Sequence, residues 1–157
     1  MDLLKGLKRT HSCGVLTNTN KDEEVILCGW VSRRRDHGGL IFVDLRDRSG
    51  MVQVVFSSEM HQEVFTKAES IRSEFVLAVK GVVKTRAVET VNPKMATGEI
   101  EVYCNELRIL NKAKTPPFYI QDGIDVDEML RLKYRYLDLR RPEMQRNLML
   151  RHRVTKV

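Results

Sequence analysis

The hydrophobic pattern of residues 24–56 repeats every second residue, and this limits the fold more than any other feature of the chain. Glu24–Arg34, Leu40–Leu45 and Met51–Phe56 alternate apolar with polar side chains or carry β-branched residues, as strands do. Polar turns rich in Gly and Asp separate these runs at 36–39 and 46–50. We therefore predict three strands that follow one another as an antiparallel meander.

The period changes after the third predicted strand. The change covers residues 58–72, where Ser58 is the candidate N-cap, and predicts an amphipathic helix near residues 61–71. Its apolar residues recur at three- and four-residue spacing: Val64, Phe65, Ala68 and Ile71. Phe75–Lys84 and Glu99–Ile109 return to the strand pattern. Other small barrels share the strand count, but three strands, one helix and two strands is the element order of the OB fold. We therefore predict an all-β domain with one helix, a closed five-stranded Greek-key barrel whose face and loops bind oligonucleotides or oligosaccharides.

The strand pattern stops near residue 112, which places the predicted OB domain at 1–112. Residues 113–130 contain two stiff prolines and an acidic, polar stretch, and are predicted to form a hinge or linker. Residues 131–157 are rich in Arg, Leu and Met at helical spacing but are too few to close a core. We predict that they are the truncated start of a second domain.

Charge and cysteine usage narrow the function classes. Lys and Arg number 27 against 21 Asp and Glu, and the net charge of +6 favours a polyanionic partner. The 3 cysteines are widely spaced and the 4 histidines lack ligand spacing, so we predict neither a disulfide framework nor a metal site. The sequence lacks a signal peptide, an apolar run of about 18 residues and a glycine-rich phosphate loop, which favours a cytoplasmic protein without a nucleotide site of those classes.

Three adjacent arginines, Arg33, Arg34 and Arg35, follow Trp30 near the end of the first predicted strand. Side chains on a strand alternate between two faces, so at least one guanidinium group must face any ligand on the barrel surface. Its forked donors suit phosphates and base edges. The alternative is a solvated basic turn, and under either interpretation we predict that Trp30 lies in the core.

Phe42 and Gln53 each lie between two apolar residues on a predicted strand. If Ile41 and Val43 point inward, the Phe42 ring lies on the outer face and can stack with an unpaired base. Gln53 faces outward by the same argument, and its amide pairs with donors and acceptors on a base edge. Taken alone, an interior Phe and a hydrated Gln are the alternatives.

The loop between the last two predicted strands and the strand after it carry further polar candidates. Arg86 and Asn92 have donors for bases, whereas an ionised Glu101 only accepts and would read an amino group. This loop is one of those through which OB folds bind. The alternative is that these are ordinary surface residues of a hairpin.

Five stretches of the sequence together carry a resemblance to a known family. They are residues 29–56 (GWVSRRRDHGGLIFVDLRDRSGMVQVVF), 72–76 (RSEFV), 92–102 (NPKMATGEIEV), 114–118 (KTPPF) and 130–145 (LRLKYRYLDLRRPEMQ). In order and spacing they resemble the amino-terminal anticodon-binding region of bacterial-type aspartyl-tRNA synthetases, which belong to class IIb. The resemblance implies an OB domain that grips the tRNA anticodon loop, followed by a class II catalytic domain that joins aspartate to tRNA using ATP and Mg²⁺.

The resemblance also implies that the motifs for ATP lie beyond Val157. We therefore expect this chain to have no cofactor of its own and no aminoacylation activity. We expect it to be a monomer, whereas the full-length enzyme would be a homodimer.

The resemblance implies roles for individual residues. Phe42 matches the family's base-stacking phenylalanine, and Arg35 and Gln53 match its contacts to the middle anticodon base. Contacts to the flanking bases fall on Arg86, Asn92 and Glu101. His37 stands where the family often has Leu, a difference associated with accepting tRNA-Asn as well as tRNA-Asp.

Two other function classes fit parts of the sequence. A free-standing OB module for single-stranded nucleic acid needs the same basic face and stacking ring, although the stretch 130–145 argues against it. An interaction domain that uses the barrel only as a scaffold predicts no salt-dependent RNA binding. Within the resemblance to aspartyl-tRNA synthetases, Lys94 and Lys112 are candidates for phosphate contacts only.

Overall fold

The computed structural model describes residues 1–156, and over that range it contains five β-strands. They are β1 (Glu24–Asp36), β2 (Leu40–Arg46), β3 (Met51–Ser57), β4 (Val76–Thr85) and β5 (Ile100–Asn111). The α-helices are α1 (Gln62–Glu69), α2 (Glu128–Lys133), α3 (Arg135–Asp138) and α4 (Pro142–Thr155). Short 3₁₀ turns occupy Cys13–Val15, Asn18–Asn20 and Val88–Thr90. Val157, the last residue of the predicted truncated domain, lies outside the described residues.

The strands close into a barrel in the order β1-β2-β3-β5-β4. All neighbours are antiparallel except β3 and β5, which pair parallel. This confirms the predicted five-stranded barrel with α1 between β3 and β4. Because the barrel is closed, each strand has one face toward the core and one toward the outside.

Alternation along β2 and β3 builds the centre of the core. Ile41, Val43 and Leu45 are fully buried on β2, and Val52, Val54 and Phe56 are fully buried on β3. The polar or aromatic residues between them point outward, as the sequence predicts for Phe42 and Gln53. The same alternation therefore fills the interior and sets the outer surface.

A β-bulge interrupts β1 just before the arginines. Pairing with β2 shifts between Val31 and Arg33, which leaves Ser32 as the extra residue. Beyond the bulge Arg33 lies opposite Asp44 and Arg35 opposite Phe42. The bulge thus turns Arg33 and Arg35 outward, although simple alternation from Val31 would send both inward.

Trp30 corrects one prediction, because it lies on the outer face of β1 and is 36% exposed. Val25, Leu27 and Val31 take the inward positions of this strand and are fully buried. Between them Gly29 occupies the remaining inward position, where a Cβ atom would lie 2.5 Å from the Arg46 carbonyl oxygen. The alternation of the strand therefore leaves Trp30 only the outer face.

Helix α1 begins at Gln62, as predicted for a helix near residues 61–71, and ends slightly early, at Glu69. Ser58 does not act as the N-cap: its hydroxyl donates to the Gly39 carbonyl (3.1 Å) and ties the end of β3 to the β1–β2 turn. The N-cap is His61, whose side chain makes no capping hydrogen bond. Phe65 and Ala68 hold the helix on the barrel by their burial in the core.

The N-terminal strap, residues 1–23, runs over the barrel and is fastened at its start and near its middle. The Asp2 N–H donates to the Ile109 carbonyl (2.9 Å), and the Ile109 N–H donates to the Asp2 carboxylate (2.7 Å). Further on, the Cys13 N–H donates to the Asp47 carboxylate (2.8 Å) in the β2–β3 turn. The strap therefore links β5 to the turn that joins β2 and β3.

The chain divides into two compact units between residues 115 and 116. Part of the predicted linker, 113–130, is folded. Its residues Phe118 and Ile120 form a small buried cluster of the second unit with Leu137. None of the helices within residues 1–156 combines the length and the apolar character needed to cross a membrane.

Candidate nucleic-acid interface

The outer faces of β1, β2, β3 and β5 carry two rows of side chains that run across the strands. In the first, Phe42 lies opposite both Arg35 and Val55. Val55 in turn pairs with Tyr103. In the second, Asp44 lies opposite both Arg33 and Gln53. The first row is Arg35, Phe42, Val55 and Tyr103, and the second row is Arg33, Asp44, Gln53 and Glu101.

A chain of hydrogen bonds orders the polar members of these rows. The Arg35 guanidinium donates to both oxygens of Asp44 (2.9 and 2.7 Å) and to Gln53 Oε1 (3.1 Å). Gln53 Nε2 then donates to Glu101 Oε2 (2.9 Å). Each of these groups has lone pairs or protons left over, so the site is held in one arrangement while remaining able to bind a ligand.

Phe42 and His37 form an aromatic pair at the edge of the first row. Their ring centroids lie 5.6 Å apart at an interplanar angle of 78°, an edge-to-face contact. Phe42 is partly exposed, and His37 is exposed in the β1–β2 turn, where its N–H donates to the Leu40 carbonyl (2.9 Å). The Phe42 ring therefore has an accessible surface, with an imidazole beside it.

Arg86 lies under the site rather than on its surface. It is 7% exposed, and its Nε donates to the Ile100 carbonyl (2.9 Å) and lies 3.8 Å from Glu101 Oε2. Burial lowers the pKa of the Arg86 guanidinium, and the Glu101 carboxylate opposes that shift. Within the described part of the chain Nη2 has no hydrogen-bond partner. The position suits a residue that holds Glu101 and the start of the β4–β5 loop.

Asn92 helps to shape the β4–β5 loop. Its Oδ1 accepts from the Lys94 N–H (3.1 Å), and its own N–H donates to the Gly98 carbonyl (3.1 Å). A Cβ atom on Gly98 would lie 1.8 Å from the Asn92 carbonyl oxygen, so this approach requires glycine. The buried Thr97 hydroxyl donates to the Met51 carbonyl (2.7 Å) and ties the loop to β3.

The structure therefore brings together four of the seven sequence-predicted site residues: Arg35, Phe42, Gln53 and Glu101. His37 borders this group, Arg86 lies beneath it, and Asn92 lies in the neighbouring loop. Sequence reasoning missed Asp44 and Tyr103. Both carry the signal that identified their neighbours, since each lies two positions along a strand from a predicted site residue.

Burial, and secondarily the Glu101 carboxylate, raise the pKa of the Tyr103 hydroxyl. The site therefore combines neutral aromatic rings with guanidinium donors, a carboxylate acceptor and an amide that does both. Rings stack on the faces of unpaired bases, and such polar groups pair with base edges. A Greek-key barrel with this outer face defines a protein of the nucleic-acid-binding class.

The chain belongs to the family of OB-fold nucleic acid binding domains, whose sequence model matches residues 25–110. Over 98% of its length it is 63% identical to the aspartate–tRNA(Asp/Asn) ligase of Thermoanaerobacter pseudethanolicus, of which it spans 26%. The ligase of the same name from Moorella thermoacetica is 65% identical over 98% of this chain, which spans 25% of that protein. These matches confirm the predicted resemblance to aspartyl-tRNA synthetases, and the chain spans about a quarter of the length of these relatives.

Solved structures agree with this assignment. The asparaginyl-tRNA synthetase of Pyrococcus horikoshii, complexed with asparaginyl-adenylate, has a TM-score of 0.71 at 27% identity, over 87% of this chain and 30% of that one. An OBody bound to hen egg-white lysozyme has a TM-score of 0.60 at 29% identity, over 68% of this chain and 96% of that one. The aspartyl-tRNA synthetase of Entamoeba histolytica shares the fold, with a TM-score of 0.77 at 22% identity over 89% of this chain and 34% of that one.

Proposed function

We propose that this chain reads the anticodon loop of tRNA as part of an aspartate–tRNA ligase. The observation that carries the proposal is the hydrogen-bonded group of Arg35, Gln53 and Glu101 next to the Phe42 ring, in a chain 63% identical to such ligases. Phe42 stacks on the middle base, while Arg35 and Gln53 contact its edge. Glu101 accepts from an amino group of a flanking base.

Gln53 is the residue best placed for base discrimination. Its amide is oriented from both sides, by Arg35 at Oε1 and by Glu101 at Nε2. One Nε2 proton and one Oε1 lone pair remain for a base that offers an adjacent acceptor and donor. Because the amide is already ordered, binding loses little side-chain entropy there.

The proposal is tested by titrating the chain with a tRNA-Asp anticodon stem-loop and with stem-loops changed at the middle base. Gln53→Ala should lose about 1–3 kcal/mol for the cognate middle base and less for the others. Gln62→Ala, which changes an exposed glutamine on α1, is the matched control. Equal binding of all stem-loops by the unchanged chain would instead support the alternative of a free-standing single-strand-binding module.

We also propose that His37 lets the parent enzyme charge both tRNA-Asp and tRNA-Asn. The relatives are named for both tRNAs, and the exposed His37 imidazole lies beside Phe42 with nitrogens that can donate or accept. A leucine there has neither. In the full-length enzyme, His37→Leu should lower charging of tRNA-Asn more than of tRNA-Asp, and an unchanged ratio of the two rates would contradict the role.

Arg86 and Asn92 enter the proposal as supports of the reading surface. Arg86 holds Glu101, and Asn92 shapes the loop through which flanking bases are approached. Arg86 is buried, so direct contact of its side chain with a base requires the loop to open on binding, whereas the Asn92 side chain is partly exposed. Lys94 and Lys112, both exposed, are suited to phosphates.

ATP, Mg²⁺, a cytoplasmic location and a homodimeric parent belong to the proposal for the whole enzyme. Residues 1–156 contain no cluster of three or more His, Cys, Asp or Glu side chains placed to hold a metal ion, so we assign no residue of this chain to ATP or Mg²⁺. We expect the chain alone to give no aspartate-dependent ATP–pyrophosphate exchange. Exchange that rises with the amount of pure chain would contradict this expectation.

A further inference from the structure

Tyr103 is a member of the first row to which the proposed function gives no role. It lies on β5 beside Val55, whose other neighbour in the row is Phe42. Val55 points outward and yet is only 1% exposed, whereas Phe42 and Tyr103 are both partly exposed. The row therefore presents two aromatic rings with a short aliphatic side chain sunk between them.

Tyr103 lies beside Glu101, the proposed acceptor, on the same strand. Tyr103 and Glu101 lie two positions apart on β5 and so share its outer face. Burial and the neighbouring Glu101 carboxylate raise the pKa of the Tyr103 hydroxyl, which stays protonated at neutral pH. A tyrosine gives a large contact area for little loss of conformational entropy, because it has only two side-chain torsions.

The spacing of the rings decides how they bind. Phe42 and Tyr103 lie two strands apart, about 10 Å at the usual distance between neighbouring strands, which is too far to sandwich one base. Aromatic side chains spread over one sheet stack with two or three successive bases in other RNA-binding domains. The first row has the same arrangement on a barrel.

We propose that Tyr103 is a second stacking platform, which holds the base next to the one on Phe42 and places that base's amino group toward Glu101. The inference rests on the proposed anticodon reading and assigns its second base. It also assigns one polar residue to each stacked base. Gln53 reads the base on Phe42, and Glu101 reads the base on Tyr103. Gln53 and Arg86 hold Glu101 in place.

The test uses the 157-residue chain and anticodon stem-loops that carry the fluorescent base 2-aminopurine at one anticodon position at a time. For the unchanged chain, binding should change the fluorescence strongly at two positions. Tyr103→Leu should abolish the change at one of them, retain it at the other, and weaken binding roughly 5- to 150-fold, the range expected for loss of one base stack. Tyr103→Phe keeps the ring and should retain both changes.

Each other outcome overturns the proposal. If Tyr103→Leu binds normally and both positions respond, the ring does not stack. If Tyr103→Phe fails as Tyr103→Leu does, the hydroxyl is what binding requires, and stacking by the ring is not sufficient. If the unchanged chain binds no stem-loop, the proposed function fails and this inference fails with it. Tyr103→Val replaces Tyr103→Leu should circular dichroism show that the latter does not fold.

Discussion

Neighbouring side chains hold Arg35, a proposed base contact, in one arrangement. Its guanidinium is held by both oxygens of Asp44 and shares Gln53 with Glu101, so three charged groups and one amide occupy a single arrangement. Ordering these side chains in advance reduces the entropy lost on binding. Asp44 thus positions Arg35, and under the proposed function this is its contribution to recognition.

We expect Phe42 to contribute to RNA binding but little to the stability of the fold. Phe42→Ala should weaken stem-loop binding by about 1–3 kcal/mol whichever base is in the middle position, because stacking uses the face of any base. Since the ring lies on the outer face, the free energy of unfolding should fall by clearly less than the roughly 3–5 kcal/mol expected when a buried Phe is replaced by Ala. Binding is measured by titration and stability by denaturant unfolding.

Two variants serve as controls for Phe42→Ala. Phe56→Ala removes a fully buried ring of β3 and should show the large loss of stability. Tyr119→Ala removes a ring of the second unit that is 71% exposed and should affect neither measurement. If Phe42→Ala is as unstable as Phe56→Ala, the ring belongs to the core and the stacking role is wrong.

Strand β1 shows where prediction from sequence stops. Its existence, and the outward positions of Phe42 and Gln53 on β2 and β3, follow from alternation. Alternation from Val31, however, sends Arg35 inward, and only the resemblance to a known family selects it. The bulge at Ser32 reverses the faces, and a serine in a strand carries no local signal of a bulge.

The other differences also arise from tertiary contacts. Ser58 is a good N-cap by residue type, but its hydroxyl is taken by the Gly39 carbonyl across the barrel. Arg86 is expected at the surface because arginines are rarely buried, but the barrel buries it against Ile100 and Glu101. Neither contact is visible in a local window of sequence, because each joins segments more than ten residues apart.

Helix α1 lacks a capping side chain, which leaves room for stabilisation. His61→Asp should raise the free energy of unfolding by about 1 kcal/mol, because a carboxylate at this position can accept from free N–H groups of the first turn. His61→Ala is the control and should give no gain. Denaturant midpoints compare the three proteins, and an Asp variant no more stable than the Ala variant would show that the first turn cannot be capped.

Asp47 attaches the N-terminal strap to the β2–β3 turn, and the stability that this attachment contributes should vary with pH. Its carboxylate accepts from the Cys13 N–H (2.8 Å) and from the Ser49 N–H (2.7 Å). Burial alone would raise the pKa of Asp47, but the hydrogen bond from the Ser49 hydroxyl (2.6 Å), together with those from the backbone N–H groups, outweighs it and lowers the pKa from its ordinary value. A lowered folded-state pKa stabilises the protein above the unfolded value, and that contribution is lost as the pH falls through the folded value.

Asp47→Asn should therefore be less stable than the unchanged chain at pH 7 and lose less stability as the pH falls below the ordinary pKa of an aspartate. Thermal unfolding followed between pH 7 and the acid range measures both effects. Asp125→Asn, which removes an exposed carboxylate of the second unit, is the control. Parallel loss of stability in Asp47→Asn and the unchanged chain would show that other carboxylates dominate the acid response.

At the scale of the whole molecule, the net charge of +6 should make binding depend on salt. The logarithm of the binding constant falls with the logarithm of salt concentration by about 0.7 for each phosphate contact on single strands. Lys94→Ala, on the β4–β5 loop, should flatten the slope by about that amount and weaken all stem-loops alike. Lys80→Ala is the control, because Lys80 is paired with Glu24 (2.9 Å), and equal slopes for the two variants would exclude Lys94 as a phosphate contact.

The hydrogen bonds between Asp2 and Ile109 have a consequence for how a gene can encode this barrel. They bring the start of the first unit beside the end of its last strand, so the two ends of this unit are adjacent. Chains with adjacent ends tolerate circular permutation when the new opening lies in an exposed segment. A permuted gene could join residue 112 to residue 2 through a short Gly-Ser bridge and open between the exposed Glu59 and Met60. Such a gene would still encode the first row and the second row on unbroken strands.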